Sequence, residues 1–499
     1  MIRPANPKTR SLAEFADFLG IADQVSKGSA SPTISGVCSD SRLIEPGDIF
    51  VALPGEKSHG CAFLTTALER GARAVITDLH GDEIASRISA AFPRLVVPKP
   101  RSICGPVASW FYDHPSESIF VAGITGTNGK TTTTYLLQQI WEEAARISGL
   151  IGTVGINFAG RSLPASHTTP EGDALQRLLS TMRENRVSHV AMEVSSHALA
   201  QDRVKGTKFS VVGFTNLSQD HLDYHGDMER YFQAKKSLFS YEYAENALIQ
   251  IDNPYGQRLW NEIEINKSSI SLLGSADWRY ERLSEIPTGF DLLIRGPGGI
   301  SIENEFHLIG RHNLENLILA VAAASQSGVD PLVISNSLPA LRGAPGRLEK
   351  IPVEEFLALV DYAHTPDAVA RALAAVKGST TGRVIAVLGC GGDRDSTKRP
   401  LMGSTLNSGA DIPIFTSDNP RSEDPVAIIN EMTAGIELKK SAEIIIDRRS
   451  AIRRAVELAR PGDLVLVLGK GHETGQEVMG EKRPFSDREE ILSAAKDRS

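Results

Sequence analysis

The 499-residue sequence predicts an α/β fold in three domains, of which the two larger ones are built on mainly parallel sheets. The first observation is length, because a domain typically contains about 100–200 residues. The second is that short β-branched runs alternate, from about Ser118 onward, with segments long enough to form crossover helices. The third is a different pattern in the first hundred residues, where short strand-like runs accompany one or two helical segments.

Turns that contain proline and glycine mark the predicted domain boundaries, at Lys99–Arg101 and Gly343–Gly346. We therefore predict a small α/β domain over residues 1–110, a central domain over 111–343 and a C-terminal domain over 344–499. The predicted strands of the central domain are Ile119–Ile124, His189–Val194, Ser210–Phe214 and Ala247–Ile251. Those of the C-terminal domain are Phe356–Val360, Val384–Leu388, Ile412–Phe415, Ile444–Ile446 and Leu464–Leu468.

Composition excludes several classes of protein. The net charge is −8, with 53 Lys plus Arg against 61 Asp plus Glu, which argues against a nucleic-acid-binding protein with a broad basic face. The four cysteines have no CxxC spacing, so neither a disulfide scaffold nor a cysteine zinc site is expected. The N-terminus lacks the apolar stretch of a signal peptide, and no apolar run is long enough to span a bilayer. We expect a cytoplasmic monomer that acts on small molecules.

The segment Gly126–Thr132 has the features of a phosphate-binding loop. It follows the predicted strand Ile119–Ile124 and precedes an amphipathic helical pattern over Thr133–Ala144, which is the context such a loop requires. Loop N–H groups and the helix N-terminus bind phosphate oxygens; Lys130 is predicted to reach the β- and γ-phosphates, and the Thr131 hydroxyl to bind Mg²⁺. The alternative is a glycine turn before a helix with no bound phosphate. The predicted ATP-binding residues of the loop are Gly126, Thr127, Asn128, Gly129, Lys130, Thr131 and Thr132. This motif makes the central domain a P-loop ATPase-like domain.

Two residues near the ends of central strands are candidate Mg²⁺ ligands. Glu193 ends the strand that begins at His189, and His221 follows the strand that ends at Phe214. In a parallel sheet, loops at the carboxyl ends of the strands converge, so both side chains are expected near the phosphate loop. Taken alone, a strand-end glutamate is usually solvated and a single histidine is usually structural. Their combination with the loop favours a metal site.

Three segments of the C-terminal domain follow predicted strands and are expected to line one crevice, as in Rossmann-like folds. They are Gly389–Arg394, Asp418–Arg421 and Gly469–Glu473. Together they bring two arginines and two acids, a combination that suits a ligand carrying both ammonium and carboxylate groups. The alternative is that Asp418–Arg421 is only a turn with an exposed arginine. The four charged residues are Arg394, Arg421, Asp418 and Glu473.

Seven segments resemble, in order and spacing, the motifs of the Mur ligase family: TGTNGKTTT, Thr168–Pro170, EVSSHAL, NLSQDHLDYHG, YxxAKxxLF, GRHNLENLILA and DYAHTPD. Tyr231–Phe239 is predicted to be a helix, and within it the AKxxLF pattern of the family favours Lys235 over Lys236. The likeness extends from about Cys38 to Glu489. The resemblance implies an ATP-dependent amide ligase of peptidoglycan precursor synthesis, with ATP as co-substrate and Mg²⁺ as cofactor. In this family a substrate carboxylate attacks the γ-phosphate, and an amine then displaces phosphate from the acyl phosphate.

The resemblance also implies residue roles. Lys130, Glu193, His221 and Lys235 would be catalytic, with Lys235, as a carbamate, supporting a second Mg²⁺ beside Glu193 and His221. Further ATP contacts would be Asn313, Asn316, Arg347 and Asp361. The UDP-substrate contacts would be Ser39, Ser41, Glu56, Lys57, Ser58, Thr168, Thr169, Ser195, Gln201 and Arg203. The amino-acid site would contain Arg394, Asp418, Asn419, Pro420, Arg421, Gly469 and Glu473.

The amino acid that best matches this pattern is meso-diaminopimelate. One of its amines must react as the neutral base. The amine and carboxylate at the other end of the molecule then remain as a zwitterion for the site to recognise. Lysine lacks the distal carboxylate and would leave an arginine without its anion. The sequence DNPR at Asp418–Arg421 is also the pattern of diaminopimelate-adding family members. The predicted reaction joins diaminopimelate to the D-glutamate of UDP-N-acetylmuramoyl-L-alanyl-D-glutamate. Alternatives are a lysine-adding or other ligase of this type, a folylpolyglutamate synthetase, and a P-loop nucleotide switch.

Overall fold

The computed structural model describes residues 2–6, 8–24, 31–55, 57–286, 289–378 and 380–498. Each of the three predicted parts of the chain contributes one main sheet, with four, eleven and six strands respectively. The predicted α/β fold is therefore confirmed. The predicted domain limits at residues 110/111 and 343/344 fall between these sheets and stay predictions.

The N-terminal sheet is parallel, with strand order β3-β4-β5-β6. The expectation of one or two helices in the first hundred residues was too low, because three helices lie among the described residues there and a fourth begins at Pro100. Side-chain caps help such short helices to form: Ser11 and Glu14 make a capping box on α1, and Asp78 caps α3. The strands are β1 Arg10–Ser11, β2 Thr33–Ile34, β3 Gly36–Cys38, β4 Asp48–Val51, β5 Ala74–Thr77 and β6 Arg94–Val96; the helices are α1 Leu12–Phe18, α2 Leu64–Glu69, α3 Leu79–Ile88 and α4 Pro100–Phe111.

The central sheet has the strand order β10-β9-β8-β11-β7-β12-β13-β14-β15-β16-β17. Its middle strands, β8 to β15 in this order, are parallel, whereas β9 and β10 at one end and β16 and β17 at the other are antiparallel. The parallel prediction thus holds for the middle only, because short connections join the outer strands and cannot make a parallel crossover. Hydrophobic clusters cover both faces.

The strands of this part are β7 Phe120–Thr125, β8 Ser148–Gly152, β9 Gly155–Phe158, β10 Arg161–Leu163, β11 His189–Glu193, β12 Val211–Phe214, β13 Asn246–Gln250, β14 Asn266–Ser271, β15 Trp278–Ile286, β16 Gly289–Arg295 and β17 Ser301–Phe306. The helices are α5 Lys130–Glu143, α6 Gly172–Glu184, α7 Ser196–Ala200, α8 Leu222–His225, α9 Met228–Lys236, α10 Pro254–Glu262, α11 Arg311–Gln326 and α12 Pro331–Ser337.

The C-terminal sheet has the order β18-β19-β23-β20-β21-β22, with only the edge strand β18 antiparallel within it. Strands β20, β21 and β23 are buried along their whole length, as expected for parallel strands covered on both faces. The strands are β18 Glu349–Ile351, β19 Leu357–Asp361, β20 Val384–Cys390, β21 Ile412–Ser417, β22 Glu443–Ile444, β23 Leu464–Leu468, β24 Gly475–Val478 and β25 Glu481–Pro484; the helices are α13 Pro366–Lys377, α14 Lys398–Gly409, α15 Pro425–Thr433, α16 Arg448–Leu458 and α17 Asp487–Arg498.

Two helices begin earlier than the sequence predicted. The helix expected after the phosphate loop from Thr133 begins at Lys130, since Gly129 adopts a left-handed conformation that ends the loop. The helix expected over Tyr231–Phe239 is α9, Met228–Lys236. It begins earlier because the Asp227 carboxylate accepts a hydrogen bond from a backbone N–H of its first turn, and it ends three residues before Phe239. The strand order then decides the site: β7 lies between β11 and β12, so three strand ends meet at the phosphate loop.

Candidate active site

The phosphate loop connects β7 to α5 in a conformation that needs glycine. Gly126 and Gly129 have φ values of +148° and +88°, and a Cβ on Gly129 would lie 2.3 Å from Asn316 Oδ1. The Lys130 ammonium donates hydrogen bonds of 2.9 Å to the carbonyls of Gly126 and Thr127, so it is held over the loop. Burial lowers the pKa of Lys130. The N-terminus of α5 and a cation therefore meet at this loop, as phosphate binding requires.

Glu193, at the end of β11, is held against the first turn of α5. Its carboxylate is 1% exposed and accepts hydrogen bonds from the Thr131 hydroxyl at 3.0 Å and from the Thr153 N–H at 2.8 Å and hydroxyl at 3.1 Å. A carboxylate and a hydroxyl beside a phosphate loop are the hard oxygen donors that suit Mg²⁺. In the part of the chain that the structure describes, no three His, Cys, Asp or Glu side chains cluster as a metal cage. A metal here would therefore share its coordination with phosphate oxygens and water.

Lys235 lies behind the loop in α9. Its side chain is 2% exposed, and its Nζ donates to the Gly126 carbonyl at 2.8 Å and lies 4.8 Å from the Tyr231 ring centroid. Burial, reinforced by the charge of Lys130, lowers the pKa of Lys235 well below its usual value. The neighbouring Lys236 instead pairs with Glu262 near the surface at 2.7 Å. The helix thus turns Lys235 toward the site, although Lys235 is not among the residues that line its cavities.

His221 precedes α8 and lines the same cavity as Glu193. It has a φ of +53°, and burial lowers its pKa to about 4 in spite of the adjacent Asp220. Asp220 accepts a hydrogen bond of 2.9 Å from Lys398, the first residue of α14. A cation of the C-terminal part therefore reaches the predicted metal region, an interaction that the sequence analysis did not foresee.

The cavity beside the phosphate loop is lined by residues of the central part and by residues that follow it. Arg347 approaches the Thr131 hydroxyl at 3.5 Å, and its buried Nε has no hydrogen-bond partner among the described residues. Asp361, at the end of β19, accepts backbone hydrogen bonds of 2.7 and 2.8 Å, and burial raises its pKa. Asn316 lines the cavity, whereas Asn313 does not, because its amide donates to the Ile309 carbonyl at 2.7 Å. The cavity wall also contains His312, Glu315 and Arg371, which the sequence analysis missed.

A second cavity continues from the first. The two share seven lining residues, so they form one cleft between the central and C-terminal parts: Thr153, Thr168, Ser195, Asp220, His221, Tyr362 and His364. Of the seven residues predicted for the amino-acid site, six line it and Pro420 does not. The residues that do line it are Arg394, Asp418, Asn419, Arg421, Gly469 and Glu473.

The wall of this second cavity carries opposite charges. Arg421 has a φ of +52°, and its guanidinium donates to the Gly392 carbonyl at 2.5 Å and lies 3.8 Å from Glu477. Burial raises the pKa of Asp418, and its Oδ1 has no hydrogen-bond partner among the described residues. Burial also opposes ionisation of Glu473, but the ammonium of Lys470 holds the pKa of Glu473 below its usual value. A guanidinium and a carboxylate oxygen that accepts no hydrogen bond therefore face the same space.

The residues predicted to hold the UDP substrate separate into two groups. Thr168, Ser195 and Arg203 line the cleft, and hydrogen bonds tie Thr169 to Ser195 and Gln201 to Arg203. The Ser39 hydroxyl instead donates to Asp173 of α6 at 2.6 Å. Ser39, Ser41, Lys57 and Ser58 line neither of these cavities, and Glu56 lies outside the described residues.

The missed residues lay inside motifs that the sequence analysis had quoted. Tyr362 and His364 belong to DYAHTPD, Lys470 to the segment Gly469–Glu473, and His197 to EVSSHAL. His197 packs its ring 4.8 Å from that of His221. The exceptions are Lys398 and Arg371, which lie outside these motifs; the partner of Lys398, Asp220, is distant in sequence. A charged residue within a glycine-rich strand-end segment was the signal available for Lys470.

Comparison with known protein families matches three consecutive regions of the chain. Residues 33–112 match the domain described as "Mur ligase family, catalytic domain", residues 124–324 the "Mur ligase middle domain", and residues 346–471 the "Mur ligase, glutamate ligase domain". Within the described residues, no helix is both long and apolar enough to cross a membrane.

Two relatives from Streptomyces are each named UDP-N-acetylmuramoyl-L-alanyl-D-glutamate--2,6-diaminopimelate ligase. The protein of Streptomyces coelicolor is 43% identical, covering 99% of this chain and 98% of its own length. That of Streptomyces avermitilis is 42% identical, covering 97% of this chain and 96% of its own. A solved structure described by the same enzyme name has a TM-score of 0.69 and 33% identity, covering 98% of this chain and 99% of that one.

Proposed function

The chain belongs to the Mur ligase family, and from this premise we propose that it is an ATP-dependent ligase that joins meso-diaminopimelate to the D-glutamate of UDP-N-acetylmuramoyl-L-alanyl-D-glutamate. The amide bond would form through an acyl phosphate, with release of ADP and phosphate. The observation that carries the proposal is the single cleft, because it joins a phosphate loop at one end to a wall of paired opposite charges at the other. This arrangement suits the activation of a carboxylate and its capture by a zwitterionic amine.

At the phosphate end, the residues of the chain act by positioning and by charge. The loop N–H groups and Lys130 would hold the β- and γ-phosphates, and Arg347 would exchange its contact with Thr131 for one with a phosphate oxygen. Glu193 and the Thr131 hydroxyl, with His221, would hold Mg²⁺. When bound, Mg²⁺ supplies charge neutralisation, which allows an anionic carboxylate to approach an anionic phosphate.

Lys235 would act as a carbamate. Burial lowers the pKa of Lys235 and so increases the neutral fraction of its amine, whose lone pair can attack the carbon of CO₂. A C–N bond forms, one C–O double bond becomes a C–O single bond, and the nitrogen loses a proton. The product is an anion that no longer carries the unfavourable cost of a buried cation beside Lys130. Such an anion behind the loop would support a second Mg²⁺.

At the other end of the cleft, the charges favour diaminopimelate over lysine. Arg421 and Arg394 would bind the distal carboxylate, and Asp418 with Glu473 would receive the distal ammonium. Asp418 Oδ1 lies 3.6 Å from Lys470 Nζ but accepts no hydrogen bond, which supports this assignment, because a buried acceptor without a hydrogen-bond donor is costly unless a ligand supplies one. Lysine would satisfy the acids and leave the arginines unpaired.

The testing experiment measures phosphate release with UDP-N-acetylmuramoyl-L-alanyl-D-glutamate and either diaminopimelate or lysine. We expect release only when ATP, the dipeptide substrate and diaminopimelate are all present. Equal rates with lysine and diaminopimelate would refute the specificity. Slow hydrolysis that needs neither substrate would instead support a nucleotide switch.

A further inference from the structure

The ammonium of Lys470 lies behind the charged wall of the cleft. Strand β23 ends at Leu468, and the chain then turns through Gly469 and Gly471, whose φ values of +111° and +54° favour glycine. A Cβ on Gly469 would lie 2.9 Å from Asp418 Oδ2, so only glycine permits this close approach. The two glycines direct the intervening lysine inward, where its side chain has no exposed surface.

Lys470 organises three polar side chains of the wall. Its Nζ donates to Asn419 Oδ1 at 3.0 Å and to Glu473 Oε2 at 2.8 Å, and it lies 3.6 Å from Asp418 Oδ1. Asn419 Oδ1 also accepts from the Glu477 N–H at 3.0 Å, and its Nδ2 donates to the same Glu473 oxygen at 2.8 Å. Both orientations are thereby fixed: the amide of Asn419 cannot flip, and Glu473 keeps its Oε1 free of these bonds.

The charges of Asp418, Glu473 and Lys470 also indicate that the lysine organises this wall. Asp418 and Glu473 would repel each other at close range, and burying both without a cation would favour protonation of one. One lysine neutralises one of the two acids, so this group of three keeps a single negative charge. That charge matches one ligand ammonium. Without Lys470, either the orientations of Asn419 and Glu473 or the single negative charge of the wall would change.

We propose that Lys470 is a positioning residue for amino-acid recognition: it holds Asn419 and Glu473 so that the free oxygens of Glu473 and Asp418 together receive the ammonium of the incoming amino acid. Lys470 acts through these neighbours and does not line the cleft itself. The inference rests on the proposed function, because it takes the second cavity as the site of a zwitterionic amino acid.

The test compares K470M, K470R and wild-type enzyme in the phosphate-release assay, with diaminopimelate and ATP varied in turn. K470M should raise KM for diaminopimelate by about 30-fold or more, since it strips a hydrogen-bonded cation from buried acids. KM for ATP and kcat at saturating diaminopimelate should stay within about threefold of wild type, because the phosphate loop is untouched. K470R, which keeps the charge but enlarges the donor, should recover part of the loss.

The matched control is R383M. Arg383 also forms a buried-carboxylate pair on this sheet, with Asp463, but at the opposite ends of β20 and β23. R383M should lower the melting temperature without changing KM for diaminopimelate. A folded K470M variant with wild-type KM, or one that shifts the KM values for ATP and diaminopimelate equally, overturns the inference.

If K470M does not fold, the comparison of K470R with wild-type enzyme tests the inference. We then expect a rise of about threefold or more in KM for diaminopimelate only, and an unchanged value overturns the inference. Failure of the wild-type enzyme to use diaminopimelate would instead refute the proposed function, so the two failures are distinguishable.

Discussion

Replacement of Arg421 by alanine tests the diaminopimelate site most directly. A guanidinium binds a carboxylate through two parallel hydrogen bonds, and removal of one partner of such a pair costs about 2–5 kcal/mol when it is buried. The Arg421 side chain is 25% exposed, which favours the lower part of that range. A loss of about 2–3 kcal/mol corresponds to a rise of roughly 30- to 150-fold in KM for diaminopimelate.

Stability should change little in R421A. The ion pair with Glu477 is long, at 3.8 Å, and Glu477 is 44% exposed, so the pair contributes at most about 1 kcal/mol. Alanine at this left-handed φ is as strained as arginine, so the backbone strain energy does not change in R421A. Loss of the hydrogen bond to the Gly392 carbonyl adds about 1 kcal/mol, so the melting temperature should fall by no more than roughly 4–8 °C. This separates a binding defect from unfolding.

The assay is phosphate release at saturating ATP and dipeptide substrate, with diaminopimelate varied, and then with ATP varied. R421K should recover little, because an ammonium cannot reproduce the fork of donors. The control is R449A, which removes an exposed arginine paired with Glu490 on α17 and should leave every KM unchanged. An unchanged KM for diaminopimelate in R421A, or an equal rise for ATP, would refute this reading of the cleft.

Three further changes have defined outcomes. E193Q should lower kcat by about 100-fold or more and raise the Mg²⁺ concentration needed for half-maximal rate, because it weakens a metal-binding carboxylate. K235R should reduce kcat at least about 100-fold, since arginine stays protonated and cannot form a carbamate, whereas K236R at the surface should be silent. D463N should destabilise the fold by about 2 kcal/mol at pH 7, because Asp463 accepts charge-assisted hydrogen bonds from Arg383. Burial opposes ionisation of Asp463, but these hydrogen bonds lower its pKa, so the stabilisation is present above the unfolded-state pKa of about 3.9 and is lost as pH falls further.

The measurements for these variants have clear refuting outcomes. For E193Q, a Mg²⁺ dependence equal to that of wild type would exclude a ligand role. For K235R, a carbamate signal from ¹³CO₂ in nuclear magnetic resonance should disappear, and its absence from the active wild-type enzyme would contradict the carbamate. For D463N, thermal melts between pH 3 and 7 should converge with wild type at the acid end. D497N, at an exposed position paired with Arg453, is the control and should match wild type throughout.

The sequence predicted those parts of the site that depend on neighbouring residues. The phosphate loop was recognisable because glycine at φ > 0, a lysine and a helix start all lie within seven residues. The resemblance to the family motif AKxxLF favoured Lys235 over Lys236, and the helix does turn Lys235 inward and Lys236 outward. Helix starts were predicted too late at Lys130 and Met228, because caps and left-handed residues, rather than hydrophobic spacing, decide where a helix begins.

Contacts between distant residues could not be predicted. Lys398 reaches Asp220 across 178 positions, and Arg347 reaches Thr131 across 216. No periodicity encodes such pairs, because they arise only when two sheets are oriented against each other. Asn313 illustrates the converse: its motif suggested a ligand contact, but the helix turns its amide to the Ile309 carbonyl and away from the cavity.

By itself, the sequence determined the α/β class, the phosphate loop and the kinds of charge available for a substrate. Those properties depend on side-chain chemistry and on spacings within one strand–loop–helix unit. Only the tertiary structure decided that the nucleotide cavity and the charged crevice form one cleft, and that the buried Lys470 fixes which oxygens of that crevice remain free. The physical reason is that a residue becomes buried, and acquires its hydrogen-bond partners, only when helices and strands pack together. Packing joins residues that are far apart in the sequence, and no sequence pattern predicts which of them will meet.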